Sequence, residues 1–201
     1  MNLHKSFLKI LKIIYHNFLF IKWRFYGSQI PPPHIAKRKY LSKTAKDENL
    51  NVFIETGTFK GDMIYSLKNK FKQLYSIEVS HNLYLKAQKR FSGIDKIKII
   101  EGDSAIKLNE IVNKINESAL FWLDAHCSEG ITSQGEKYTP ILEEILIILN
   151  SKFSHIIVID DARLFGQDIN YPTFNDLSLH IKKIGNNYKI KIFIDFIVIS
   201  K

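Results

Sequence analysis

Leu3, Phe7, Ile10, Ile14, Phe18, Ile21 and Phe25 recur at intervals of three and four, the spacing that lines up side chains on one face of an α-helix. Lys5, Lys9, Lys12 and His16 fall on another face, while Leu8, Leu11, Ile13, Phe20 and Trp23 widen the apolar side. The segment MNLHKSFLKILKIIYHNFLFIKWRFYG is therefore predicted to be one amphipathic helix. The run QIPPPHIAKRKYL that follows must start extended, because each proline fixes its own φ and disfavours helix in the residue before it. A short helix from Ile35 to about Lys46 completes this first part, and Asp47 to Asn51 reads as a turn.

From residue 51 the pattern changes to short apolar runs separated by helical periodicity. Strands are predicted at 51–55 (NVFIE), 73–79 (QLYSIEV), 97–101 (IKIIE), 119–124 (ALFWLD) and 155–160 (HIIVID). Helices are predicted near 61–70, 82–91, 104–116, 139–151 and 172–184. Near-continuously apolar strands alternating with helices call for a parallel sheet covered on both faces. The closing KIKIFIDFIVIS alternates enough for two strands joined by a tight turn at Ile194–Asp195. The expected architecture is α/β, a Rossmann-like doubly wound sheet with a terminal hairpin. Residues 1–46 form a basic helix and proline-rich linker, and residues 47–201 the domain.

Charge divides the chain at the same place. The net +9 is not spread evenly: residues 1–46 hold ten Lys or Arg and no acid, whereas residues 47–201 hold nineteen basic and twenty acidic residues. The domain is near neutral, so composition argues against a broad nucleic-acid-binding face. The basic helix suits the surface of an anionic membrane, with lysines among headgroups and aromatics at the acyl boundary, or a helix packed on its own domain or on a second subunit of a homo-oligomer. Lys9, Lys12, Lys22 and Arg24 interrupt the apolar run, which argues against a spanning helix. The same charges, with no small-residue site after them, argue against a cleavable signal. A single cysteine, Cys127, excludes a disulfide framework and a cysteine-based zinc site, and fits a cytoplasmic protein, peripheral on the inner membrane face if the helix docks there.

Ligands of an open parallel sheet bind beyond the carboxyl ends of its strands, where strand order reverses. The first strand runs into ETGTFKGD, an acidic, glycine-bearing turn leading to a helix. Gly57 permits the tight turn, Gly61 lets the helix start close to a ligand, and backbone amides there favour an electron-rich group. Glu78 ends the second strand, twenty-three residues after Glu55, where a carboxylate can accept both hydroxyl protons of a ribose. Asp103, after the third strand, can accept from an adenine amino group with Ser104 capping the next helix; alternatively Asp103 is simply the helix N-cap. Asp124 after the fourth strand and Asp160 with Asp161 after the fifth meet at one rim if those strands are neighbours. Three close carboxylates call for a cation, and an all-oxygen set favours Mg²⁺ or Mn²⁺. The alternative for the Asp pair is helix capping with a salt bridge to Arg163.

These positions resemble the class I S-adenosylmethionine-dependent methyltransferases over roughly residues 50–200, including that family's seven-stranded sheet with an antiparallel last strand. The resemblance implies that Glu55, Gly57, Thr58 and Gly61 hold the methionine part of the cofactor, Glu78 its ribose, and Asp103 with Ser104 its adenine. Phe59 departs from the pattern, since many members carry a further glycine there, and it speaks against a pyrophosphate-binding turn. The rim acids resemble a narrower group, the metal-dependent sugar O-methyltransferases of the macrocin and mycinamicin type. By that likeness Asp124, Asp160 and Asp161 are metal ligands and His126 stands at the general base, in place of the group's usual acid. The chemistry is coherent: a bound cation lowers the pKa of a sugar hydroxyl, and imidazole, with a usual pKa of about 6.5, can take its proton. The acceptor expected is a small-molecule or lipid-linked sugar. Residues 127–138 read as a lid or acceptor loop, and His34 and Lys37 as linker or as a grip on cofactor or on an acidic acceptor. Rival readings are a metal-independent methyltransferase acting on an amine or other nucleophile, and a membrane-docked binding module with the same fold and no turnover.

Overall fold

The computed structural model describes residues 2–124, 139–185 and 187–201. Helix α1 (Asn2–Phe25) precedes α2 (His34–Asp47). Then come β1 (Val52–Thr56), α3 (Asp62–Leu67), β2 (Gln73–Glu78), α4 (His81–Phe91), β3 (Ile97–Glu101), α5 (Ser104–Val112) and β4 (Ala119–Leu123). The chain continues through α6 (Ile141–Leu149), β5 (Ile156–Ile159), a 3-10 turn (Ala162–Leu164), α7 (Phe174–Ile184), β6 (Lys189–Phe193) and β7 (Phe196–Ser200).

The seven strands form one sheet in the order β3-β2-β1-β4-β5-β7-β6. Strands β1 to β5 are parallel, while β7 runs antiparallel to both β5 and β6. The hairpin between β6 and β7 turns at Ile194 and Asp195, with Ile194 in the left-handed region at φ 61°. Alternate residues of the central strands feed two separate cores, as a sheet covered on both faces requires. Ile54, Ile77, Phe121, Ile157 and Ile199 pack under α5, α6 and α7. Phe53, Leu74, Leu120, Trp122 and Val158 pack under α2, α3 and α4.

Helix α2 belongs to this second core. Leu41 and Ala45 are buried in it, although they lie in the stretch expected to be appendage and linker. The sequence from Ala36 through Leu41 to Ala45 places small or apolar residues at spacings of five and four, enough for one face to sit against the sheet. Helix α1 lies along α2 and leaves Phe7, Ile14, Phe18, Ile21 and Phe25 exposed. No described helix is long and apolar enough to cross a membrane.

Candidate active site

The strand order reverses at β1, whose neighbours β2 and β4 connect to opposite sides of the sheet. The turn after β1 is folded back by its own backbone. Gly57 N and Thr58 N both donate to Ile77 O, at 3.0 and 3.2 Å, and Gly61 N donates to Thr58 O at 2.7 Å. Gly57 sits at φ +87°, and a Cβ there would stand 3.5 Å from the carbonyl oxygen of Asp124, so this corner is also where the end of β4 comes closest. Phe59 also keeps a left-handed backbone, at φ 48°, with its ring exposed. Gly61 has another reason to be glycine than closeness to a ligand. A Cβ there would fall 2.7 and 2.9 Å from the buried ring of Phe91 on α4.

Glu78 closes the turn from β2. Its Oε2 accepts from Phe59 N at 2.8 Å and its Oε1 from Ser80 N at 2.9 Å, so one carboxylate ties the first turn to the second. Each oxygen has a second lone pair with which to accept a hydroxyl. Beneath it, Glu55 is buried, and Ser76 Oγ donates to its Oε1 at 2.7 Å while sharing a 2.5 Å contact with Thr58 Oγ1. Burial pushes the Glu55 carboxyl up to about 8; the Ser76 hydrogen bond opposes this, and Asp124 and Glu78 reinforce it.

After β3 the N-cap of α5 is Asp103, not Ser104. Asp103 has extended backbone (φ −68°, ψ 132°) and accepts from Ala105 N at 2.8 Å, whereas Ser104 is already the first helical residue. Near it lies a residue the sequence reading passed over. Glu144 of α6 is buried, and loss of hydration raises its carboxyl to about 7 despite the nearby hydroxyls of Ser104 and Thr56. Its Oε2 accepts no hydrogen bond from the described residues. The signal was present: position 144 shares the stripe of Ile141, Ile145 and Ile148, so an acid there had to face the core.

The rim beyond β4 and β5 is the charged part of the site. Asp124, Asp160 and Asp161 each offer an oxygen, all within 4.8 Å of one another. Asp160 N donates to Leu123 O, which fixes the ends of the two strands side by side, and Asp161 N donates to Asp160 Oδ1 at 2.9 Å. Asp161 takes a left-handed backbone at φ 55°, unusual for a side-chain-bearing residue and a local strain that the surrounding charges must hold. Two cations meet these acids. Lys37 Nζ donates to Asp160 Oδ2 and lies 3.7 Å from Asp161 Oδ1. Arg163 Nη1 donates to Asp161 Oδ1 at 2.7 Å and also pairs with buried Asp195 from the β6–β7 turn, whose Oδ1 accepts from Arg163 N. Burial raises the Asp160 carboxyl to about 7, with Asp161 and Asp124 adding to the rise and Lys37 opposing it.

Lys37 and Arg163 thus bring positive charge to this cluster, Arg163 sharing its own between Asp161 and Asp195. The salt bridge expected as the alternative for the Asp pair does form between Asp161 and Arg163. His34, at the exposed start of α2, feels Asp124; partial burial and the Lys37 and Arg38 charges hold its imidazole below the usual value. His126, Cys127 and the loop through 138 lie outside the described residues.

No family model matches the chain, and no curated protein matches its sequence. Solved structures do match in shape. A putative caffeoyl-CoA O-methyltransferase from Staphylococcus aureus superposes with a TM-score of 0.57 at 15% identity, covering 99% of each chain. An O-methyltransferase from Bacillus cereus in complex with SAH gives 0.59 at 13% identity, over 92% of this chain and 89% of that one. TomG from Streptomyces achromogenes, an O-methyltransferase of tomaymycin synthesis in complex with SAM, gives 0.57 at 14%, over 92% and 87%. At these identities the likeness establishes the fold alone, a Rossmann-like methyltransferase fold.

Proposed function

We propose that the protein transfers a methyl group from S-adenosylmethionine to a hydroxyl, with a sugar of a glycan, glycolipid or secondary metabolite as the acceptor class. The observation that carries this reading is the Glu78 carboxylate, which binds the backbone of the first turn and ends β2 beside the strand-order reversal. A ribose seated there would be held by Glu78, and Asp103 with Ser104 stands one strand further out for the adenine. The methionine end would reach Gly57, Thr58 and Asp124, where the absence of a Cβ at residue 57 keeps the corner open. The cofactor, when bound, supplies a methyl group on a positively charged sulfur. What the chain must add is an acceptor oxygen held in line and relieved of its proton.

The rim carboxylates serve that second need. Asp124, Asp160 and Asp161 are oxygen donors of the kind that Mg²⁺ or Mn²⁺ uses, and with such a cation in the place of the Lys37 ammonium an acceptor oxygen beside it would give up its proton more readily. His126, two residues beyond Asp124, is the proposed base. A second reading, transfer without a divalent metal, is favoured by the ammonium of Lys37 on Asp160.

Labelled methyl transfer from S-adenosylmethionine over a panel of sugar nucleotides and cell-envelope extracts tests the proposal. Incorporation into a base-stable sugar ether is expected. Labelling confined to amines, or none with cofactor bound, would overturn the hydroxyl assignment. Asp161→Asn is expected to keep cofactor binding and lose turnover.

A further inference from the structure

Lys37 comes to the rim from a part of the chain 123 residues away from Asp160. It stands four residues before Leu41, on the face of α2 that packs into the core, so the helix has little freedom to withdraw it. Its side chain is 10% exposed, and those of Asp160 and Asp161 are 4% and 3% exposed. A buried ammonium is tolerated only where carboxylates replace the water it has lost. The indole of Trp122, 5.9 Å from Nζ, forms an additional electron-rich wall.

A divalent ion would need the same place. Mg²⁺ holds its oxygens at about 2.0–2.1 Å and Mn²⁺ favours a similar oxygen set, so the oxygens of one ion stand at most about 4.2 Å apart, and three carboxylates with oxygens within 4.8 Å of one another would need only a small adjustment to close around one. An ammonium hydrogen-bonded to Asp160 Oδ2 and 3.7 Å from Asp161 Oδ1 already stands at two of those three carboxylates. Two cations in that space would repel each other at close range with little water between them.

We infer that Lys37 is the resident cation of the three-aspartate site, and that its ammonium and a divalent metal are mutually exclusive partners of Asp160. The inference deepens the hydroxyl-transfer reading and rests on it for its purpose: a fixed ammonium, delivered by α2, supplies the positive charge that a divalent ion on these carboxylates would supply. Lys37 acts as a positioning residue. It holds Asp160 and Asp161 in place and sets a positive charge beside the acceptor's position.

The test uses the full-length chain, stripped with chelator and titrated with Mn²⁺, following free Mn²⁺ by electron paramagnetic resonance. Neither cofactor nor acceptor is needed. The wild-type protein is expected to bind Mn²⁺ no tighter than millimolar. Lys37→Met, which keeps the length of the stem and removes the charge, is expected to bind at least ten-fold tighter, and adding Asp160→Asn is expected to erase the gain. Unchanged affinity in Lys37→Met, or micromolar binding by the wild type, would overturn the inference. The wild-type titration decides alone if the variant fails to fold. S-adenosylhomocysteine binding measured on the same samples reports on the methyl-donor reading separately.

Discussion

Replacing Glu55 with glutamine keeps the side chain's shape and an acceptor oxygen for Ser76, but removes a proton equilibrium that the fold has displaced. The Glu55 carboxyl is pushed from its ordinary value near 4.5 up to about 8, because burial strips its hydration while Ser76 compensates only in part. The unfolded chain loses this proton as pH rises through about 4.5, whereas the folded protein keeps it until about 8. In that window the folded state binds the extra proton, so stability falls as pH rises. At about 1.4 kcal/mol per pH unit, the loss assigned to Glu55 is about 3 kcal/mol between pH 4.5 and 7, and about 4 kcal/mol by pH 8. Glu144 and Asp160, both raised to about 7, contribute slopes of the same sign. They are present in both proteins and cancel in the comparison. Urea unfolding at pH 5, 6, 7 and 8 is the assay. Glu55→Gln is expected to lose less stability with rising pH, the two curves separating by about 1.4 kcal/mol per unit up to about pH 8. Parallel curves would show that Glu55 is ionised in the folded protein at neutral pH, and would refute the reasoning.

Two further expectations follow from packing and surface. Gly61→Ala places a Cβ 2.7 Å from the Phe91 ring at φ +70°, and the overpacking and left-handed strain together are expected to cost about 2–4 kcal/mol in denaturant unfolding; a loss under about 0.5 kcal/mol would mean that α4 yields freely. The stripe Phe7, Ile14, Phe18, Ile21 and Phe25 is 58–83% exposed on a segment with ten basic residues and no acid. We expect the full chain to float with vesicles rich in anionic lipid and Ile14→Glu with Ile21→Glu to stay behind, whereas equal flotation of the two would remove membrane docking by this face.

The parallel strands were legible because they are buried on both faces, which writes runs such as ALFWL and IIVI into the chain. Their ends fall within one or two residues of expectation, and the β6–β7 turn falls at Ile194–Asp195 as read. The rim acids were legible too, because strand order makes β4 and β5 neighbours. The pairing of Lys37 with Asp160 was not, since it depends on α2 docking against a sheet formed by later residues, and no local spacing records that. Gly61 also has a packing reason that was not legible, because a contact with Phe91, thirty residues on, has no local signature. Asp103 shows the limit of reading a role from position: one carboxylate at the start of a helix suits both a cap and a ligand contact, and the bond from Ala105 N shows the first without bearing on the second.

Calorimetric titration of the wild-type chain with S-adenosylhomocysteine, with Glu78→Ala beside it, tests the methyl-donor site most directly. One molecule bound per chain by the wild type, and at least ten-fold weaker binding once the Phe59 and Ser80 amides lose their shared carboxylate, is the expected result. Absence of binding heat across temperatures with the wild type folded, or full affinity in Glu78→Ala, would contradict it.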